Sequence, residues 1–276
     1  MDIYKNSKDL RKRIDQYKQE GKRIGFFPTM GALHAGHMRL LHAAQKSCDI
    51  VVSSIFVNPT QFNNPDDLAK YPRTLPADLL LLQTEGCDVV YTPDRDDVYA
   101  DEQSFSLDLK GLDSVLEGSS RPGHFDGVAR VVKLLFEKVQ PDVAYFGLKD
   151  FQQCMVIRQL VEQLEMPIQL QWVETSREDS GLARSSRNVR LSDAQRNAAA
   201  VIYRALQHCK ANYSFPQIAQ LEKEAIRLIE AEGFTVDYFQ IVESENLQPN
   251  TASLKEPVAL TAVYAGEVRL IDNLIL

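Results

Sequence analysis

The chain has 276 residues, 44% of them hydrophobic and 25% charged, a balance that sustains a buried core and excludes a disordered chain. Its length fits one large domain or two unequal ones. Lys and Arg number 31 against 38 Asp and Glu, a net charge of −7, which argues against broad nucleic-acid binding because phosphate-backbone affinity comes from clustered cations.

No apolar run approaches the ~18 residues that a membrane-spanning helix needs, and the charged start MDIYKNSKDLRKRID lacks the apolar core of a signal peptide. Cys48, Cys87, Cys154 and Cys209 form no CxxC pair, so neither a zinc knuckle nor a disulfide framework is indicated. A reduced, cytoplasmic protein is expected, with no membrane and no nucleic-acid partner.

In chain order, Ser7 is read as the cap of a helix that places Leu10, Ile14 and Tyr17 on one face and ends at Gly21. Strands are predicted over Arg23 to Phe27, Ile50 to Val57, Asp88 to Tyr91, Val143 to Phe146 and Ile168 to Val173. Between them, helices are predicted over Gly36 to Lys46, Leu75 to Glu85, His124 to Val139 and Phe151 to Leu164. Such alternation is the pattern of a Rossmann-like parallel sheet with helices on both faces. Ligands of such sheets lie at the carboxyl ends of the strands.

The remainder reads differently. Helical periodicity covers Asp193 to Cys209 and Pro216 to Glu232, and strands follow over Val236 to Val242, Val258 to Val263 and Val268 to Ile271. Tyr264 to Glu267 is hairpin-like. The expectation is α/β for residues 1–175 and a smaller α+β domain for residues 176–276.

The densest chemical signal follows the first long strand: Pro28, Thr29, Met30, Gly31, Ala32, Leu33, His34, Ala35, Gly36 and His37. A glycine there lets the backbone approach a ligand, and a helix opening near Gly36 aims its N–H groups at an anion. His34 and His37 flank the same point. A lone histidine is more often a satisfied polar group than a ligand, but two in one glycine-bearing turn reverse that expectation. A zinc site of His34, His37 and His42 is rejected, since the spacing does not share one helical face and no Cys or carboxylate completes it; no metal ligand is assigned.

Neutral amides follow the second strand at Asn58 and Gln61, suited to the hydroxyl and carboxylate of a small polar acid, or simply to an Asx turn before Pro59. After the strand ending at Phe146 come Gly147, Leu148, Lys149 and Asp150. There a cation neutralises phosphate charge and an acid serves a ribose or caps the helix. Ser185, Ser186 and Arg187, with Arg177 and Arg184 nearby, match a triphosphate tail or form a solvated basic loop. Arg121 and His124 are read as candidates for a second carboxylate, with Arg121 alternatively a loop anchor.

The turn His34-Ala35-Gly36-His37 resembles the HIGH motif of the nucleotidyltransferase superfamily. The strings PTMGALHAGH, FVNPTQF, RPGHFDGV, YFGLKDFQQ and SSRN, in that order from Pro28 to Asn188, resemble the pantoate–β-alanine ligase family. That resemblance implies ATP-dependent condensation of (R)-pantoate with β-alanine through a pantoyl adenylate, releasing diphosphate and AMP, with Mg²⁺ bridging phosphates, and a homodimer. It implies ATP contacts at Pro28 to His37, Gly147 to Asp150, Ser185, Ser186 and Arg187, pantoate contacts at Gln61 and Gln153, and a pantoate/β-alanine pocket lined by Asn58. His34, His37, Lys149, Ser186 and Arg187 are the expected catalytic groups; the resemblance makes His37 the proton donor, a choice local sequence leaves open. Two positions depart from the family pattern, Arg184 where Met is common and Ser176 where Val is, and both are kept as ATP-site residues. The rival readings are another HIGH-motif nucleotidyltransferase acting on a phosphorylated co-substrate, which the neutral Gln61 and Gln153 disfavour, and a non-catalytic nucleotide-binding module.

Overall fold

The structure, a computed structural model, describes residues 1–100, 105–249 and 253–276. The chain forms two compact units: Met1–Leu148 with Gln153–Glu174, and Lys149–Gln152 with Thr175–Leu276.

The first unit is built on six parallel strands, β1 (Asp2–Tyr4), β2 (Ile24–Thr29), β3 (Ile50–Ile55), β4 (Val89–Tyr91), β5 (Val143–Gly147) and β6 (Gln169–Val173), in the order β1-β4-β3-β2-β5-β6. Alternation along β2 explains why both faces are covered. Phe27 packs with Met38 and Leu41 of the helix Ala35–Gln45 and with Leu82 of the helix Leu75–Thr84. Its neighbour Phe26 meets Phe136 of the helix His124–Val139 on the opposite face, rings 6.3 Å apart and edge-on.

Register is pinned by aspartates that each directly precede a strand. Asp49 accepts the N–H of Arg23 (2.8 Å), Asp142 that of Ile24 (2.7 Å) and Asp88 that of Val51 (2.8 Å). Each carboxylate thus satisfies a neighbouring strand where the ladder begins. The connections run outward from β2 to β3 and β4, then return to β5 on its other side. The strand order reverses between β2 and β5, so their carboxyl ends flank the switch point where such sheets bind ligands.

The second unit carries an antiparallel sheet of β7 (Thr235–Glu243), β8 (Pro257–Ala265) and β9 (Val268–Ile275), in that order. The helices Ala200–Asn212 and Ile218–Glu230 pack on it through Ala205, Leu206, Leu221, Ala225 and Ile229.

Several local details differ from the sequence pattern. The short edge strand β1 escapes it, because its residues are exposed or half-buried and form no apolar run of the kind that marks the equally short β4. The cap of the first helix is Asn6, whose side chain accepts from Asp9 N–H, while Ser7 is helical and turned to Asp97. The helix expected over Asp193 to Cys209 is two, Asp193–Ala198 and Ala200–Asn212, because Ile202 N–H bonds the Ala199 carbonyl three residues back and tightens the turn. The final strands extend past their apolar cores.

Helix His124–Val139 packs on the turn Pro59–Gln61 closely enough to demand glycine at Gly127, where a Cβ would lie 2.4 Å from the Thr60 carbonyl oxygen. The change Gly127→Ala is therefore expected to lower the unfolding temperature by roughly 3–10 °C. Calorimetry checks this, and an unchanged transition would contradict the packing.

Candidate active site

The turn between β2 and its helix is held in an unusual backbone shape. Gly31 has φ +82° and Ala32 φ +50°, and a Cβ on Gly31 would meet Asp78 Oδ2 at 3.0 Å, so only glycine fits there. Asp78, 3% exposed, accepts the N–H of Ala32 (3.0 Å), the N–H of Leu33 (2.8 Å) and the Thr74 hydroxyl (3.1 Å). Thr29 Oγ1 accepts from Gly31 N–H (3.2 Å) and donates to the Ser54 carbonyl (2.8 Å). The strained Gly31–Ala32 step is stabilised by these contacts rather than by its own preference.

The two histidines follow as a capping pair. His34 is the N-cap, and its Nδ1 accepts the Gly36 N–H at 3.1 Å. His37 Nδ1 accepts the His34 N–H at 3.2 Å. Their rings lie 4.2 Å apart at 45°. An Nδ1 that accepts carries no proton, so each neutral ring bears its hydrogen on Nε2 and is a donor there. The N–H groups of Gly31, Ala32, Leu33, His34, Gly36 and His37 are spent within the protein. The sequence pattern points to anion binding by the helix start itself. The structure instead gives these backbone donors to Thr29, Asp78 and His34–His37.

A second cluster lies after β3. Asn58, 1% exposed, accepts on Oδ1 from Thr60 N–H, Thr60 Oγ1 and Tyr99 O–H. Its Nδ2 donates to Gln61 Oε1 (3.1 Å) and to the Gly127 carbonyl (3.2 Å). With Oε1 engaged as acceptor, the buried Gln61 directs its amide N–H₂ to Met30 Sδ at 3.2 Å, a weak acceptor. His124 Nδ1 donates to the Gln61 carbonyl (2.7 Å) and its Nε2 accepts from Arg121 Nη1 (3.1 Å). Both histidine nitrogens thus act inside the protein, and Arg121 also faces Glu117 at 3.9 Å. The geometry gives Arg121 and His124 the work of anchoring the Gln61 turn. Gln153 is half-buried near the start of the helix Phe151–Gln163, next to the buried Gln152.

In the second unit, Lys149 Nζ lies 3.5 Å from Asp150 Oδ1, with the lysine side chain 18% exposed. Ser185 caps the short helical turn Ser186–Arg190 by accepting the Arg187 N–H (3.2 Å). Arg184 N–H bonds the Ser176 carbonyl at 2.9 Å, so these two residues meet through backbone. Asn188, 5% exposed, donates to the Ala183 carbonyl (3.0 Å) and to Glu178 (3.3 Å). Glu178 takes two further bonds from Arg196 at 2.9 and 2.8 Å. Those bonds, Arg196 first, hold the Glu178 carboxyl below its ordinary value of 4.5 against the opposing effect of burial.

Asp78, Tyr99 and Glu178 lie outside the motifs of the sequence. Asp78 had a signal, as the one acid in the apolar run Leu75–Leu82. Tyr99 and Glu178 are ordinary surface-type residues in sequence and gain their roles only through tertiary contact.

A family model described as pantoate-beta-alanine ligase matches residues 2–275. A pantothenate synthetase of Pseudomonas putida (strain GB-1) is 46% identical over 280 residues, covering 100% of this chain and 98% of that protein. One of Christiangramia forsetii is 44% identical over 285 residues, covering 100% and 99%. The crystal structure of pantothenate synthetase from Thermus thermophilus superposes with a TM-score of 0.86 at 39% identity over 99% of both chains. That of pantoate-beta-alanine ligase from Francisella tularensis, complexed with beta-gamma ATP and β-alanine, gives a TM-score of 0.84 at 36% identity, covering 100% of this chain and 97% of that one.

Glu178 makes the loop acid-sensitive. Its folded-state value is lowered, so its stabilisation is present above the unfolded value of 4.5 and is lost as pH falls through the lowered folded value. Below about pH 5, the wild type should lose stability more steeply than Glu178→Gln. Parallel acid limbs in urea-unfolding curves would contradict this.

Proposed function

The chain belongs to the pantoate–β-alanine ligase family, and from that premise we propose how its residues divide the work of an ATP-dependent ligase. The reaction joins pantoate and β-alanine. In the first step a pantoate carboxylate oxygen attacks the α-phosphorus of ATP in line, the bond to the β-phosphate bridging oxygen breaks, and diphosphate leaves. In the second, the neutral amine of β-alanine attacks the acyl carbon of pantoyl adenylate, the bond to AMP breaks, and the amide forms with loss of the amine proton.

The observation that carries the reading is the capping pair, which fixes both imidazoles as Nε2–H donors. During adenylation negative charge gathers on the phosphates, and donors already aimed at that charge lower the barrier without reorganising. We assign His34 and His37 to this task, each donating its Nε2–H as a hydrogen bond to the developing charge, and Lys149, Ser186 and Arg187 to the phosphates. The turn Pro28 to His37, Gly147 to Asp150, Ser176, Arg184 and Ser185 are assigned to the nucleotide. Gln61, with its amide held by Asn58, and Gln153 are assigned to pantoate's hydroxyl and carboxylate, where neutral amides pair without the desolvation cost of a buried charge. Arg121 is assigned to the pocket wall.

Among the described residues no group of three His, Cys, Asp or Glu side chains could hold a metal ion. We propose that Mg²⁺ arrives on the phosphates of ATP as part of the substrate, where it would neutralise charge on the leaving diphosphate. No step is assigned to a protein-held ion. Among the described residues no helix is long and apolar enough to cross a membrane, and the four cysteines are free thiols. A cytoplasmic setting and a homodimer are proposed alongside.

The test separates capping from chemistry. In His34→Asn the new side chain keeps an N-cap acceptor but loses the Nε2–H. Folding stability should therefore change by less than about 1 kcal/mol, while pantoate-dependent diphosphate release falls roughly a hundredfold or more. His37→Ala should lose adenylation likewise. In the wild type, diphosphate release should require pantoate, and sustained AMP and pantothenate should require β-alanine as well. Near-full activity in folded His37→Ala, or diphosphate release indifferent to pantoate, would overturn the assignment.

A further inference from the structure

A buried ion pair in the second unit underlies two of the segments assigned to the phosphates. Arg177 grips Asp272 of β9 with both Nη atoms, at 2.6 and 2.9 Å, and the two side chains are 15% and 4% exposed. The same guanidinium donates to the carbonyls of Gly181 (3.1 Å) and Asn273 (3.2 Å) and lies over the Tyr203 ring at 3.8 Å. A planar cation used on both edges and one face has a single available seat. Burying such a pair adds little stability over apolar residues of the same size, so the reason for it is sought in what it orients.

Two connections lead out from it. Asn273 donates its own N–H to Asp272 Oδ1 (2.8 Å), and its side-chain Nδ2 donates to the Lys149 carbonyl at 2.9 Å, across 124 residues of sequence. The Arg177 carbonyl accepts from Arg184 Nε (3.1 Å), and Arg177 pairs with Ala183 as an isolated bridge, directly ahead of Ser185–Arg187. Lys149 is also felt electrostatically by Asp272: its charge, with Arg177, opposes the upward push that burial gives the carboxyl.

We propose that Asn273, seated by the Arg177–Asp272 pair, is a positioning residue for Lys149, fixing the lysine's peptide so that its ammonium group meets the phosphates of ATP in one orientation. The proposal rests on the assignment of Lys149 to the phosphates made above. Asn273 lies at the far end of the chain from the motif it serves, on a strand with no motif of its own. It acts through Lys149 and touches no substrate in this role.

A double-mutant cycle tests it, using kcat/KM for ATP, KM for pantoate, and the Kd of β,γ-methylene ATP as a readout independent of turnover. Asn273→Ala should lower kcat/KM for ATP and weaken the analogue by roughly tenfold, with KM for pantoate unchanged. On a Lys149→Ala background, the same substitution should have no further effect on analogue binding. Three results would overturn the proposal: an unaltered response to ATP in Asn273→Ala, a full further loss on the Lys149→Ala background, or equal losses for ATP and pantoate. If Lys149→Ala itself leaves ATP binding and kinetics intact, the assignment of Lys149 falls and the proposal with it. A loss in Lys149→Ala with none in Asn273→Ala removes only the positioning role. Should Asn273→Ala fold poorly by circular dichroism, Asn273→Ser carries the same comparison.

Discussion

The hydrogen bonds that His34 N–H and Gly36 N–H give to imidazole Nδ1 atoms constrain the chemistry open to this site. A helix start ordinarily offers its own N–H groups to an anion. Here those groups are consumed one residue at a time, and what they gain in exchange is two rings of defined tautomer. The arrangement depends on Asp78, whose two oxygens hold Ala32 and Leu33 in the backbone shape that leads into the cap. A donor pair set in this way suits stabilisation of developing phosphate charge and is unsuited to proton abstraction, since an imidazole nitrogen carrying hydrogen is no base.

The other feature of the first unit is its use of neutral amides. Asn58 uses both ends of its amide internally, and the result is one orientation of Gln61. In the proposed function this amide would match the donors and acceptors of a hydroxy acid without burying a charge. Arg121 and His124 support that turn from behind through the Gln61 carbonyl.

Much of this was legible in sequence because it rests on local patterns. Phe26 and Phe27, Val51 and Val52, and Val89 to Tyr91 announce buried strands by composition alone, and the helix His124–Val139 matches its predicted limits. The chemical residues that stood out did so by falling just after those strands, which follows from the topology of parallel sheets. What remained hidden was long-range. Asp78 meets Ala32 across 46 residues, Tyr99 meets Asn58 across 41, and Asn273 meets Lys149 across 124. No periodicity records such pairings. The internal use of the helix-start N–H groups was hidden for the same reason, since hydrogen-bond partners follow from the assembled fold.

The chemistry proposed for the site turns on His34 and His37 being neutral Nε2–H donors before substrate arrives. Nitrogen-15 NMR of histidine-labelled protein at neutral pH measures this directly. Both rings are expected to show a protonated Nε2 and an unprotonated, hydrogen-bond-accepting Nδ1. Finding either ring as the Nδ1–H tautomer or as imidazolium would contradict the capping geometry and the catalytic role drawn from it.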